Sequence, residues 1–356
     1  MTIKTTTAQD GYSLLELMIA ITIGLIVLAA LVTIFANNSR ARTEIERANQ
    51  QSENGRYALQ LLSDELHNAG YFAEFNPGTV LSPDSQLLPN IPTAIPDPCA
   101  TNVASLNSNV AVPVQGYDNA NAGNIPGCLA DVRAGTDILV VRRASTCAVG
   151  DAGCDPLVAG APYFEASTCD TELQQAGTGH FVLDTSTANL TNAVHQNHCT
   201  TASAWHQYRT HIYFVANNDK PNDGIPTLKR AELGAGGFTI VPLVEGVETL
   251  QIEYGLDTTV PTSGTPAVYT ANPGIYNGCA PANCVSYWRN TVAAKLHLLA
   301  RNTTITPGYV DNKTYTLGLL ADGITPNNVG PFNDAFKRHA YEAVAWLTNI
   351  SGRNAP

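Results

Sequence analysis

Three groups of residues have the types and spacing for chemistry. His195, His198 and Cys199, followed by His206 and His211, offer the nitrogen and sulfur donors of a zinc site. They read equally as loop histidines beside a disulfide cysteine, and the sequence favours that plainer account. Asp219 and Asp223 lie near a Gly, as in a calcium loop. Such a loop needs oxygen donors at alternate positions, and Pro221 occupies the one between them, so the expectation is an Asp-Gly hairpin turn. The third group is eight cysteines, Cys99, Cys128, Cys147, Cys154, Cys169, Cys199, Cys279 and Cys284, an even number that reads as disulfides in an oxidising compartment. The sequence contains no His-Glu-x-x-His, no phosphate-binding Gly-x-x-x-x-Gly-Lys-Ser/Thr, no Gly-x-Ser-x-Gly and no Cys-x-x-Cys. We therefore expect no catalytic residues, no resident metal and no cofactor.

The element on which the rest depends is an apolar run over residues 14–36, in which Glu16 is the only charge. At ~1.5 Å per residue, roughly 20 such residues cross a bilayer as one helix. A carboxylate there needs a reason, because a charge costs on the order of 3 kcal/mol at the bilayer centre, though less near an end. Favourable interaction with the helix macrodipole is one reason. A cleaved secretory signal is a competing account of the run, with Ala36-Asn37-Asn38 a weak cleavage site. The arrangement Gly11-Tyr12-Ser13-Leu14-Leu15-Glu16 after a short polar leader resembles the class III signal of type IV pilins, with Tyr12 in place of the usual Phe. The resemblance implies cleavage between Gly11 and Tyr12 by a prepilin peptidase and methylation of the new amino terminus. It also gives Glu16 an assembly role, pairing with that terminal cation on a neighbouring subunit.

The 356 residues are 44% hydrophobic and 14% charged, enough for one large domain or two small ones beyond the membrane helix. A formal net charge of -11 argues against a nucleic-acid partner, which would need a basic footprint. Arg40, Arg42 and Arg47 follow the apolar run and only Lys4 precedes it, against the positive-inside tendency. The cysteines and the leader outweigh this, and we expect a cytoplasmic amino terminus with the remainder outside the inner membrane.

Helical spacing continues beyond residue 36, with Ile45, Ala48, Ala58, Leu62, Leu66 and Ala69 on one side and Gly70 as the stop. Gly55 is the expected place for a bend. The segment from Gly55 through Asp64 to Ala69-Gly70-Tyr71 resembles the helix end of the PilW-type minor pilins. Residues 243–255 and 290–301 resemble their carboxy-terminal strands. The expected division is a leader at 1–11, a transmembrane half-helix at 12–36, an amphipathic half at 37–70, a loop-rich and Cys-rich region with some strands at 71–207, and an antiparallel sheet region at 208–356. Strands are expected at 136–143, 180–183, 208–216 and 292–300, with a last one at 339–349. In the 292–300 strand Lys295 and His297 oppose the apolar face.

Together these make the fold class α+β: a long amino-terminal helix packed on an antiparallel sheet domain with long disulfide-bonded loops. The resemblance implies a minor pilin that helps to initiate assembly of a type IV pilus or caps it. Its partners would be other minor pilins, the major pilin, a large tip adhesin, the prepilin peptidase, and the inner membrane before assembly. The alternatives are a minor pseudopilin of a type II secretion system, or a tip binding module whose loop-rich interval recognises a surface, sugar or DNA. Short loops close most readily, so Cys279 is expected to pair with Cys284 and Cys147 with Cys154. Cys99 with Cys128 and Cys169 with Cys199 then close loops of about 30 residues, each worth about 3 to 4 kcal/mol on chain entropy.

Overall fold

The computed structural model describes residues 11, 13–76, 91–174 and 180–355. Residues 1–10 of the expected leader 1–11, and Tyr12, lie outside the described residues. The chain divides into two compact units, Met1–Gln50 and Gln51–Pro356, and one helix, α1 (Leu14–Asn68), contributes to both.

In the first unit, residues 14–43 are all exposed, including fifteen large apolar side chains from Leu14 to Phe35. The two hydroxyls of the apolar run are satisfied within the helix. Thr22 Oγ1 donates to the Met18 carbonyl at 2.7 Å and Thr33 Oγ1 to the Ala29 carbonyl at 2.8 Å. Apart from Glu16, this stretch therefore asks only for an apolar surrounding.

In the second unit, α1 turns Gly55, Ala58, Leu59, Leu62 and Leu66 inward, three or four residues apart. The helix runs unbroken through Gly55, where we had expected a bend. A Cβ there would clash with the Tyr341 ring, so the glycine is needed for close approach. After α1 come α2 (Val103–Asn109), β1 (Val114–Tyr117), β2 (Ile138–Ala148), β3 (Tyr163–Ala166), α3 (Asp170–Leu173), β4 (Phe181–Asp184), α4 (Thr187–Leu190) and β5 (His206–Ala216). β6 (Thr227–Gly234), β7 (Gly237–Glu245), β8 (Val247–Leu256) and β9 (Val268–Thr270) follow. The series closes with α5 (Pro281–Arg289), β10 (Thr291–Arg301), β11 (Tyr315–Leu319), β12 (Pro326–Val329), β13 (Arg338–Trp346) and α6 (Thr348–Asn354).

The named strands pair only antiparallel. One sheet has the order β1-β2-β5-β3-β4, with β6 also on β5 and β7 on β6; the second has the order β13-β10-β8-β9; β11 and β12 form a hairpin. β5 starts at His206, and the larger sheet draws strands from both sides of the expected 207/208 boundary. The 243–255 block spans two strands belonging to different sheets. They meet at Gly246, whose φ is +78° and where a Cβ would lie 2.6 Å from the Arg301 carbonyl, leaving no room for a side chain.

The main core joins Ala58, Leu62 and Leu66 of α1 to Leu139 and Val141 of β2, Tyr213 and Val215 of β5, Leu250 and Ile252 of β8, and Leu296 and Leu298 of β10. Alternate residues of the same strands, Ile138, Val140, Ile212 and Phe214, form a second core on the opposite face. Both faces of these parts of β2 and β5 are therefore covered, which explains the continuous apolar runs at 138–141 and 212–216. α2 and β1 occupy part of the interval expected to be loop. Asn102 starts α2 by accepting the Ser105 amide at 2.9 Å.

Four disulfides join Cys99 to Cys128, Cys147 to Cys154, Cys169 to Cys199 and Cys279 to Cys284, and no described cysteine is free.

Candidate assembly site

At its start α1 is closed by its own side chains. The Ser13 amide donates to Glu16 Oε2 at 2.9 Å, and the Glu16 amide donates to Ser13 Oγ at 3.2 Å. This reciprocal capping box satisfies two of the amides that a helix leaves unpaired at its amino end. Ser-x-x-Glu is the sequence signature of that cap, and we had assigned Glu16 to the macrodipole or to a partner without it. Gly11 is exposed, with open space where a Cβ would be. Glu16 is thus the one acid of an exposed apolar stretch, and its carboxylate accepts from Ser13, three residues away.

Glu65, near the other end of α1, is 8% exposed. Its Oε1 accepts Arg143 Nε at 2.9 Å and His211 Nδ1 at 2.8 Å, and its Oε2 accepts Arg143 Nη2 at 3.4 Å. Burial alone would raise this carboxyl, but the bonds from His211 and Arg143 outweigh it and hold it far below the usual carboxylate range. Burial lowers His211, helped by the nearby Arg230 and Arg143 cations, so the ring is neutral and its Nδ1–H donates to Glu65. The cluster opens into a cleft of about 350 Å³ with Tyr57, Asp64 and Arg230 on its walls. Nothing in the spacing of residues 65, 143 and 211 announces it, because the register of β2 with β5 and the packing of α1 on them bring the three together.

The helix ends as its sequence suggests, with Gly70 at φ +72° and its amide donating to the Arg142 carbonyl at 3.0 Å. Its last carbonyls are taken up by residues nearly 300 positions away. Thr348 Oγ1 donates to the His67 carbonyl at 2.7 Å, and Asn349 Nδ2 to the His67 and Ala69 carbonyls at 3.3 and 3.2 Å.

The histidines considered as metal ligands have separate partners. His195 Nδ1 lies 2.7 Å from Glu172, His206 Nδ1 is 2.7 Å from the Ser145 carbonyl, His211 is held by Glu65, and His198 is exposed. Among the described residues, no three His, Cys, Asp or Glu side chains converge to hold a metal. The Asp223 carboxylate accepts the amides of Asp219, Lys220 and Ile225, closing the turn between β5 and β6 on itself. His297, read as opposing the apolar face of β10, is buried against Glu253 at 2.9 Å, and Gly318 of β11 lies against its ring.

Residues 212–349 match the family model of type IV pilus-assembly protein W, and residues 6–32 match that of the prokaryotic N-terminal methylation motif. Neither reaches residues 33–211. No curated protein matches the chain. Among solved structures, a type IV-like pilin from Thermus thermophilus is similar at 13% identity over 84% of this chain and 97% of that one, with a TM-score of 0.32, too distant to carry an argument. The methylation motif leads directly into the apolar part of α1, and the assembly-protein match covers strands from both sheets, so over these two stretches the chain has the sequence pattern of a PilW-type, type IV pilin-like protein.

Proposed function

We propose that the chain is a minor pilin, cut between Gly11 and Tyr12 by a prepilin peptidase and methylated there, that enters the type IV pilus to initiate its assembly or cap it. The observation that carries this is the exposed apolar stretch with one acid. Burying its fifteen large apolar side chains is worth on the order of 20 kcal/mol or more, so the stretch belongs in lipid or among other apolar helices. Among other helices, Glu16 has a partner of opposite charge only if one is supplied from outside the cap. The Tyr12 amine released by cleavage of a neighbouring subunit supplies it. On this account the single-pass precursor waits in the inner membrane with the second unit outside, and its partners are the other minor pilins, the major pilin and a tip adhesin.

Gly11 tests the processing step. A peptidase that cuts after a glycine leaves no space for a side chain at that position, so Gly11→Leu should leave the full-length mass, and the wild-type chain should lose residues 1–11. A correctly shortened, methylated Gly11→Leu chain would overturn the assignment. Deleting the gene should reduce surface pili while leaving the level of the major pilin unchanged. Normal pilus numbers in the deletion would contradict a role in initiation or capping.

A further inference from the structure

A cleft of about 340 Å³ lies between residues 257–260, the turn at 276–278 and α5. Three devices preform its walls. Asp257, at the end of β8, accepts the Thr259 amide and hydroxyl on Oδ1 at 3.2 and 2.6 Å, and the Ser263 and Gly264 amides on Oδ2 at 2.8 Å each. The Cys279–Cys284 bridge ties the turn to α5. Asn290 closes α5 by donating its amide to the Ser286 carbonyl at 3.0 Å, and its own carbonyl accepts the Asp257 amide at 3.0 Å. A binding site fixed in this way loses little ordering entropy when a ligand arrives.

The lining has a definite chemistry. The Tyr276 and Tyr287 rings stand edge to face at 5.0 Å and 87°. Asn277 and Asn283 are exposed at the rim, and Asn290 is 9% exposed within. Asn290 Oδ1 accepts from Asn354 at 3.3 Å. No Lys, Arg or His lines the cleft, so nothing there would hold an anion. The one acid, Asp257, already has both oxygens engaged. A cation would therefore find no free carboxylate.

Aromatic faces, carboxamides and no available charge together select a neutral, polyhydroxylated ring. Its C–H face can lie on a tyrosine while its hydroxyls exchange hydrogen bonds with the amides. The volume falls at the small end of ligand pockets, about 300 to 1,000 Å³. We propose that this cleft binds a neutral saccharide. The site lies outside the cysteine-rich interval and does not depend on pilus assembly.

Saturation-transfer NMR on the full chain decides it, in lauryldimethylamine oxide micelles so that no sugar detergent competes. The probes are glucose, galactose, mannose, N-acetylglucosamine and their common disaccharides. At least one should receive saturation at its ring protons, with a Kd of about 1 mM, and Tyr287→Ala or Asn283→Ala should weaken binding about tenfold. Tyr276→Ala, in a turn outside the core, reports in place of Tyr287→Ala if that variant does not fold. No transfer to any probe, transfer unchanged by the Tyr276 and Asn283 variants, or full competition by dextran sulfate would overturn the proposal.

Discussion

Glu16 and Glu65 stand on one helix, each an acid among apolar neighbours, and they are satisfied in opposite ways. Glu65 draws on Arg143 and His211, which come from strands far along the chain and exist as partners only once the second unit has folded. Glu16 draws on Ser13 alone, and that cap forms as soon as the helix does. A buried acid with one cation and one neutral imidazole donor from distant strands stabilises the fold of its own chain. An acid with only a local cap, on a stretch that must be covered by something else, keeps its charge available to whatever covers it. The same side chain thus serves folding at one end of α1 and, on our proposal, association at the other.

The strongest way to break this comparison is Glu65→Ala, which leaves Arg143 and His211 without their shared acceptor. Removing one partner of a buried ion pair costs about 3 to 5 kcal/mol. Unfolding of the full chain in micelles, followed by fluorescence, should show that loss. All three tryptophans, Trp205, Trp288 and Trp346, lie in the second unit and report on it alone. A change under 1 kcal/mol would show that Glu65 is incidental to the fold.

Acid offers a second test. A carboxyl held below its unfolded value stabilises the protein above about pH 4.3, and that contribution is lost as the pH falls through its folded value. The stability gap between wild type and Glu65→Gln should therefore narrow below pH 4.3, by about 1.4 kcal/mol per pH unit. His211 has the same sign in a higher window. Lowered by burial, it contributes above about pH 6.5 and loses that contribution on acidification. Burial pushes Glu165 up to about 8 and raises Asp137, and both therefore act in the other direction. The readout must accordingly be the difference between the two chains. A gap that stays constant down to pH 3 would contradict the role given to Glu65.

The smallest effect on stability and the sharper one on association belong to Glu16→Ala. It should leave the tryptophan-monitored transition within about 0.5 kcal/mol of wild type, as for a change away from the packed unit. Recovery of the protein in sheared pili should fall about tenfold, equivalent to about 1.4 kcal/mol of subunit association. Glu16→Gln retains the cap to Ser13 and removes the charge. If it restores incorporation, the cap is the function of Glu16 and the comparison collapses.

The sequence made the apolar helix, the strands of β2, β5, β10 and β13, and the α+β class legible, because each carries a periodic or continuous apolar signal. The short helices were not legible. α2 is rich in Asn and Ser, α5 is only nine residues long, and α6 has the composition of a loop. α2 forms with the Asn102 cap, and α5 and α6 form where Val285, Trp288 and Ile350 reach the main core, not from apolar periodicity. Gly55 was misread for a similar reason, since the residue that requires it is 286 positions further on. Glu65 with Arg143 and His211, and Glu253 with His297, depend on strand register, which a linear pattern does not contain. The capping box at Ser13 and Glu16 was legible as Ser-x-x-Glu and was passed over because the charge drew attention from the spacing.

The closure of α1 by Thr348 and Asn349 sets an order in time. The helix is synthesised early, yet Gln51, Gly55, His67 and Ala69 meet their partners at Lys337, Tyr341, Thr348 and Asn349 only after some 280 further residues have emerged. Until then the part of the helix around Gln51, Gly55 and the last carbonyls lacks its final cover, and the chain must avoid other attachments there while it waits. Contacts of such separation fold slowly, because loop closure precedes any gain from packing. A nascent chain of this protein is therefore most exposed to chaperones and proteases during the interval between the making of the helix and the arrival of residues 337–349.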